Sequence, residues 1–129
     1  PWQLIPFGVT TKVQLNAELF DLLAEFSVAV GTYNFVPTRA GYYLITAQVY
    51  WEISAATGDA YIRLYVNGVS VGDAADFIHA ARPQMCRITQ IRYLTPNDTL
   101  DVRVLQNTGA GKQIIAGAPF TFLCIHRLS

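Results

Sequence analysis

The chain has 129 residues, 52% of them hydrophobic and only 14% charged, with nine Lys plus Arg set against nine Asp plus Glu. That length favours one domain with one hydrophobic core. Zero net charge argues against a nucleic-acid binder held by phosphates and against a polybasic membrane anchor, and no apolar run approaches the ~18 residues of a spanning helix. A small chain with so few charges has trouble covering itself with polar groups, a first hint that another subunit covers part of it.

In chain order, residues 1–10 read as an N-terminal arm in which Trp2 and Phe7 pack against the body or a preceding stalk. The chain does not begin with Met and shows no signal peptide, which reads as a processed product or an excised fragment. In 17–30, Leu19, Leu22, Leu23, Phe26 and Val30 form a helical stripe. From there on, turn signals recur at short intervals, including Gly41, Asn67-Gly68, Pro83, Pro96-Asn97-Asp98 and 117–119. Short β-branched and aromatic stretches lie between them, the spacing of an all-β sandwich or barrel.

Segment 42–53 alternates with little solvated face. Tyr43, Ile45, Ala47, Val49, Trp51 and Ile53 lie on one side, and Tyr42, Leu44, Thr46, Gln48 and Tyr50 on the other. In 60–67, Ile62, Leu64 and Val66 point inward while Tyr61, Arg63, Tyr65 and Asn67 point out. Asn67-Gly68 then closes a tight hairpin, since both residues accept positive φ. In 99–106, Leu100, Val102 and Val104 point inward and Thr99, Asp101 and Arg103 outward. Asn97-Asp98-Thr99 matches a glycosylation sequon and reads instead as part of the turn before that strand.

In 119–128, Phe120, Phe122, Cys124 and Leu128 share one face, and Thr121, Leu123 and Ile125 the other. An antiparallel sheet normally keeps one face solvated. Segments 42–53 and 119–128 do not, so a subunit interface is expected through Tyr42, Leu44, Thr46, Gln48, Tyr50, Thr121, Leu123 and Ile125.

Phe35, five further residues and then Gly41-Tyr42-Tyr43 resemble the central part of the C1q-domain signature, an aromatic followed by Gly-x-Tyr-x-aromatic. Ile45 stands where that family favours Phe, and Ala47 where it favours an aromatic. Residues 12–16 and Phe20-Asp21 resemble the opening strands of bacterial and phage C1q-like domains. Leu64-Tyr65-Val66-Asn67-Gly68 is similar to the family's strand ending in Asn-Gly. Tyr93-Leu94 through Leu100 resembles its Leu-x-x-Gly-Asp turn, with Asn97 in place of Gly, and Phe120 through Leu128 resembles its last strand. The resemblance covers 11–129.

It implies an all-β, ten-stranded C1q/TNF-like jelly-roll sandwich of two antiparallel sheets, assembled as a homotrimer. The sheet facing the threefold axis would hold the two segments apolar on both sides, and segment 17–30 would be extended rather than helical. An extracellular, cell-surface or virion-surface location follows from the resemblance alone.

Catalytic signatures are absent from the sequence: no GxSxG, HExxH, Walker loop or dinucleotide fingerprint. His79 and His126 lack an acidic or cysteine partner at ligand spacing. Cys86 and Cys124 sit in apolar runs, away from any CxxC, and are expected as buried free thiols rather than zinc ligands. Asp73 and Asp76 flank a short loop, and calcium needs six to eight oxygens, so no cofactor is expected unless backbone or symmetry-related oxygens complete a calcium site there. Tyr61, Arg63 and Tyr65 form a candidate ligand surface, two rings with a forked donor between them. The sequence therefore points to a trimeric, non-enzymatic recognition head that binds a receptor or glycan multivalently. The alternative is a structural trimer, such as a capsid decoration protein or a fibre trimerisation cap.

Overall fold

The computed structural model describes residues 2–15, 25–27, 29, 31–53, 55–79, 84–115 and 120–129. The helical stripe of 17–30 lies outside them except for 25–27 and 29, as do Phe20-Asp21, Pro83 and the turn at 117–119. The described residues form strands β1 (Trp2–Ile5), β2 (Thr11–Lys12), β3 (Phe26–Ser27), β4 (Asn34–Phe35), β5 (Gly41–Trp51), β6 (Gly58–Val66), β7 (Val69–Ile78), β8 (Gln84–Leu94), β9 (Leu100–Asn107), β10 (Lys112–Ile115) and β11 (Phe122–Arg127). Three of these eleven, β2 to β4, have two residues each. Such short pairings leave no periodicity in the sequence, and the described residues carry them beside the longer strands of the jelly roll.

The strands form two antiparallel sheets. In the first, β5 is flanked by β8 on one side and by β11 and β10 on the other, with β1 outside β10. In the second, the order is β3-β4-β9-β6-β7, and β2 also pairs with β9. Residues 2–5, read from the sequence as an arm, are therefore a strand of the sandwich, with Ile5 fully buried.

The core lies between the sheets. Tyr43, Ile45, Ala47, Val49 and Trp51 point down from β5, and Ile62, Leu64, Val102 and Val104 point up from β6 and β9. Period-2 alternation puts every second side chain of each strand into this layer. Losing one buried aliphatic side chain to Ala would cost about 2–5 kcal/mol.

The residues of the Gly-x-Tyr motif assemble one corner of the sandwich. The Tyr43 ring meets Phe35 edge-on with centroids 5.7 Å apart. Its hydroxyl donates to the Arg39 carbonyl at 2.6 Å, tying the start of β5 to the turn before it. Gly41 is required because a Cβ there would collide with the Ser129 carbonyl oxygen. The motif is structural: it fixes where β5 begins and how the chain after β11 lies across it.

The β6–β7 hairpin turns on Asn67 and Gly68, with φ of 53° and 78°. Its tip is knitted to the turn before β9. Asn67 Nδ2 donates to Asp98 Oδ1 at 2.8 Å, and the Thr99 amide donates to Asn67 Oδ1 at 2.9 Å. Near the opposite end, the fully buried Lys112 donates to the Ala56 carbonyl at 3.3 Å. Burial pushes its pKa down, an effect partly offset by Glu52.

Candidate functional site

β5 is paired along its whole length with β8 and over Tyr43–Gln48 with β11. Residues directly opposite in an antiparallel ladder point to the same side. The outward side of the first sheet can therefore be read in rows. Tyr42 meets Tyr93, with ring centroids 5.2 Å apart. Leu44 lies between His126 and Ile91, and Thr46 between Cys124 and Thr89. Gln48 lies between Phe122 and Arg87, and Tyr50 opposes Met85 and meets Phe120 at 5.1 Å.

These rows are apolar and open toward their ends, at Tyr42, Tyr93, Ile91 and Met85, and more polar across the middle, at Thr46, Thr89, Gln48 and Arg87. Ile91 is 61% exposed, Tyr93 55%, Tyr42 53% and Met85 53%. Exposed apolar side chains gathered in this way are commoner at surfaces that meet another molecule than on the rest of a protein surface. The polar residues here are satisfied within the face. The Thr46 and Thr89 hydroxyls share a hydrogen bond of 3.3 Å. Gln48 is buried, donating from Nε2 to the Phe120 carbonyl at 2.8 Å and accepting at Oε1 from the Arg87 Nε at 3.0 Å and from its Nη2.

Five of the eight expected interface residues, Tyr42, Leu44, Thr46, Gln48 and Tyr50, point out from this face. The other three do not. Leu123 and Ile125 oppose Ala47 and Ile45 and pack against the core, and Thr121 is buried with its Oγ1 accepting from the Tyr50 amide at 3.1 Å. The outward residues of β11 are Phe122, Cys124 and His126. Both faces of this strand are apolar, so alternation alone could not say which turns inward; the register does. Cys124 is consequently exposed, whereas Cys86 is buried as expected. The sequence reading also missed β8, which supplies Met85, Arg87, Thr89, Ile91 and Tyr93. The signal was present in the alternation of 84–94.

On the second sheet, Tyr61, Arg63 and Tyr65 do share the outward side of β6, each half-buried rather than fully open. The Arg63 guanidinium leans over the Tyr61 ring at 5.2 Å, and that of Arg103 over Tyr65 at 4.2 Å. Asp101, expected in solvent, is 4% exposed. Arg103 covers it through two hydrogen bonds of 2.8 and 3.2 Å, and Lys12 approaches it at 3.5 Å.

Asp73 and Asp76 lie within β7, not around a loop. Asp73 opposes Arg63 at 3.6 Å, whereas Asp76 accepts from Gln84 Nε2 at 2.7 Å. An odd-numbered separation along the strand sends them to opposite sides, so they do not converge on one ion. Among the described residues no group of three His, Cys, Asp or Glu is placed to hold a metal. His79 meets the Phe77 ring edge-on, with centroids 5.1 Å apart.

No family model matches the chain, and no curated protein matches it. Solved structures do. The structure of Eiger TNF from S. frugiperda superposes with a TM-score of 0.63 over 100% of this chain and 94% of its own, at 14% identity. The crystal structure of murine APRIL at pH 5.0 superposes with a TM-score of 0.57 over 74% of this chain and 72% of its own, at 16% identity.

The fold is TNF-like. A TNF-like jelly roll accounts for the two antiparallel sheets and the absence of helix among the described residues. It was reached from the sequence through residues that turn out to shape the sandwich: Phe35, Gly41 and Tyr43 at its corner and Asn67-Gly68 at its hairpin. None of the described helices, there being none, is long and apolar enough to cross a membrane.

Proposed function

We propose that three copies of this chain pack their first sheets together to form a non-enzymatic recognition head, displayed outside the cell or on a cell, spore or virion surface. The head binds a receptor or glycan through three identical sites. The observation that carries this reading is the open apolar face built by β5, β8 and β11. At ~25 cal/mol per Å² of apolar area, burying several rows of that face supplies a large driving force, reduced by the entropy of association. Weak single contacts on a repetitive target then add up through avidity.

Light scattering coupled to size-exclusion chromatography tests the assembly. The expected mass is three times the 14.3 kDa of the chain. Ile91→Asp places a charge on a side chain that is 61% exposed in the single chain. It should leave the protomer's own stability within ~0.5 kcal/mol yet release monomer, because only the assembly buries that position. A wild type that runs as a monomer at micromolar concentration overturns the proposal.

A further inference from the structure

The outward side of the second sheet brings three cations into one row. Arg63 on β6 stands directly opposite Arg103 on β9, which in turn stands opposite Lys12 on β2. Like charges directly opposite one another oppose sheet formation. Asp101 compensates Arg103 and Lys12. Arg63 pairs with Asp73, directly opposite it on β7, at 3.6 Å from Nε, and that carboxylate is half exposed, with 52% of its side chain open. Among the described residues the Arg63 side chain makes no hydrogen bond beside that ion pair, and it is 23% exposed. A guanidinium carries five donors in a rigid fork that matches a carboxylate or sulfate.

Tyrosine rings stand on either side of it. Tyr61 and Tyr65 are four positions apart on one side of β6, ~13 Å along the strand, the length of a short oligosaccharide rather than of one sugar. On the β7 side they face the small residues Ala75 and Ser70. Each ring is fixed by the guanidinium that leans over it. β6 is paired on both edges, with β7 and β9, so no peptide can add to it as a strand.

We propose that this surface, Tyr61, Arg63 and Tyr65 with Arg103 beside them, binds an acidic oligosaccharide, the rings seating sugars and the Arg63 fork meeting a carboxylate or sulfate. The site lies within one chain. It rests on the recognition-head reading only for its threefold repetition.

The test is a titration of the 15N-labelled 129-residue chain with 3′-sialyllactose, with a heparin-derived tetrasaccharide, with lactose, and with a polyglutamate peptide. At least one acidic saccharide should bind, shifting amides in 61–65 and 101–103, with lactose weaker by about tenfold or more. Binding to sialyllactose alone assigns the fork to a terminal acidic sugar, and binding to the tetrasaccharide alone assigns it to a sulfated chain. Arg63→Gln should weaken binding by about tenfold, and Arg63→Lys, which keeps the charge without the fork, by an intermediate factor. The proposal is overturned if neither acidic saccharide binds, if Arg63→Gln binds as tightly as wild type, or if polyglutamate binds as well as the saccharides. The mass measurement reads the other reading separately: a saccharide-binding monomer would sink the trimer alone, and a trimer that ignores both acidic saccharides would sink this site alone.

Discussion

Cys86 and Cys124 show how much one residue's surroundings decide its chemistry. Cys86 lies in the core beside Trp51, and burial pushes its thiol up to about 11, which the Trp51 indole only partly offsets. Folding therefore favours the protonated thiol. Its contribution is fully present below the ordinary value of 9.0 and is lost as pH rises through about 11. Two pH units correspond to roughly 2–3 kcal/mol. Urea unfolding of the wild type should show that extra loss between pH 8 and 11, and Cys86→Ala, though less stable at pH 8, should lack it. Equal slopes in the two proteins would mean that the thiol is not desolvated in the folded state. Cys124, on the open face, meets solvent in the single chain.

Strand β11 carries the sharpest element-scale prediction. Leu123→Arg drives a charge toward the core and should lower the melting temperature of the protomer itself by several degrees or unfold it. Cys124→Arg, one residue on, points outward and should leave a folded monomer. Circular dichroism melts alongside the mass separate the two, and a reversed pattern would mean that the register with β5 is off by one. The same strand marks where the sequence could and could not be read. Segments 60–67 and 99–106 declare their inward sides because one face is aliphatic and the other polar. Asn67-Gly68 declares its turn because positive φ excludes most other residues. The two apolar faces of 42–53 declare that something covers the sheet. In 119–128 both faces are apolar, so only pairing with Ile45 and Ala47 shows that Leu123 and Ile125 turn inward. Asp101 was misjudged for a related reason: a polar residue on an outward face is buried by its neighbours' long side chains, not by the core. The ligand surface was legible as residue types, but the like-charged pairing of Arg63 with Arg103 depends on register between strands forty positions apart in the chain.

For the whole molecule, the proposed reading gives assembly to the apolar face of one sheet and ligand binding to the charged, aromatic face of the other. An assembly held by the first face makes stability depend on protein concentration. The wild-type melting temperature should rise by several degrees between about 1 and 100 µM, whereas that of Ile91→Asp should stay flat. A wild type without concentration dependence would place the apolar face outside any equilibrium of association. The strand order has a kinetic consequence as well. β5 acquires its neighbours on the side away from β8 only from β10 and β11, the Gln48–Phe120 bond spans 72 positions, and Gln106 closes on Ile5 across 101. Such remote pairings fold slowly, in milliseconds to seconds. A nascent chain must carry the sticky central strand half-edged through most of its synthesis, so residues 122–127 act as the latch that ends its exposure. Crowded expression, low temperature and chaperone supply should therefore govern the yield of this protein more than its final stability does.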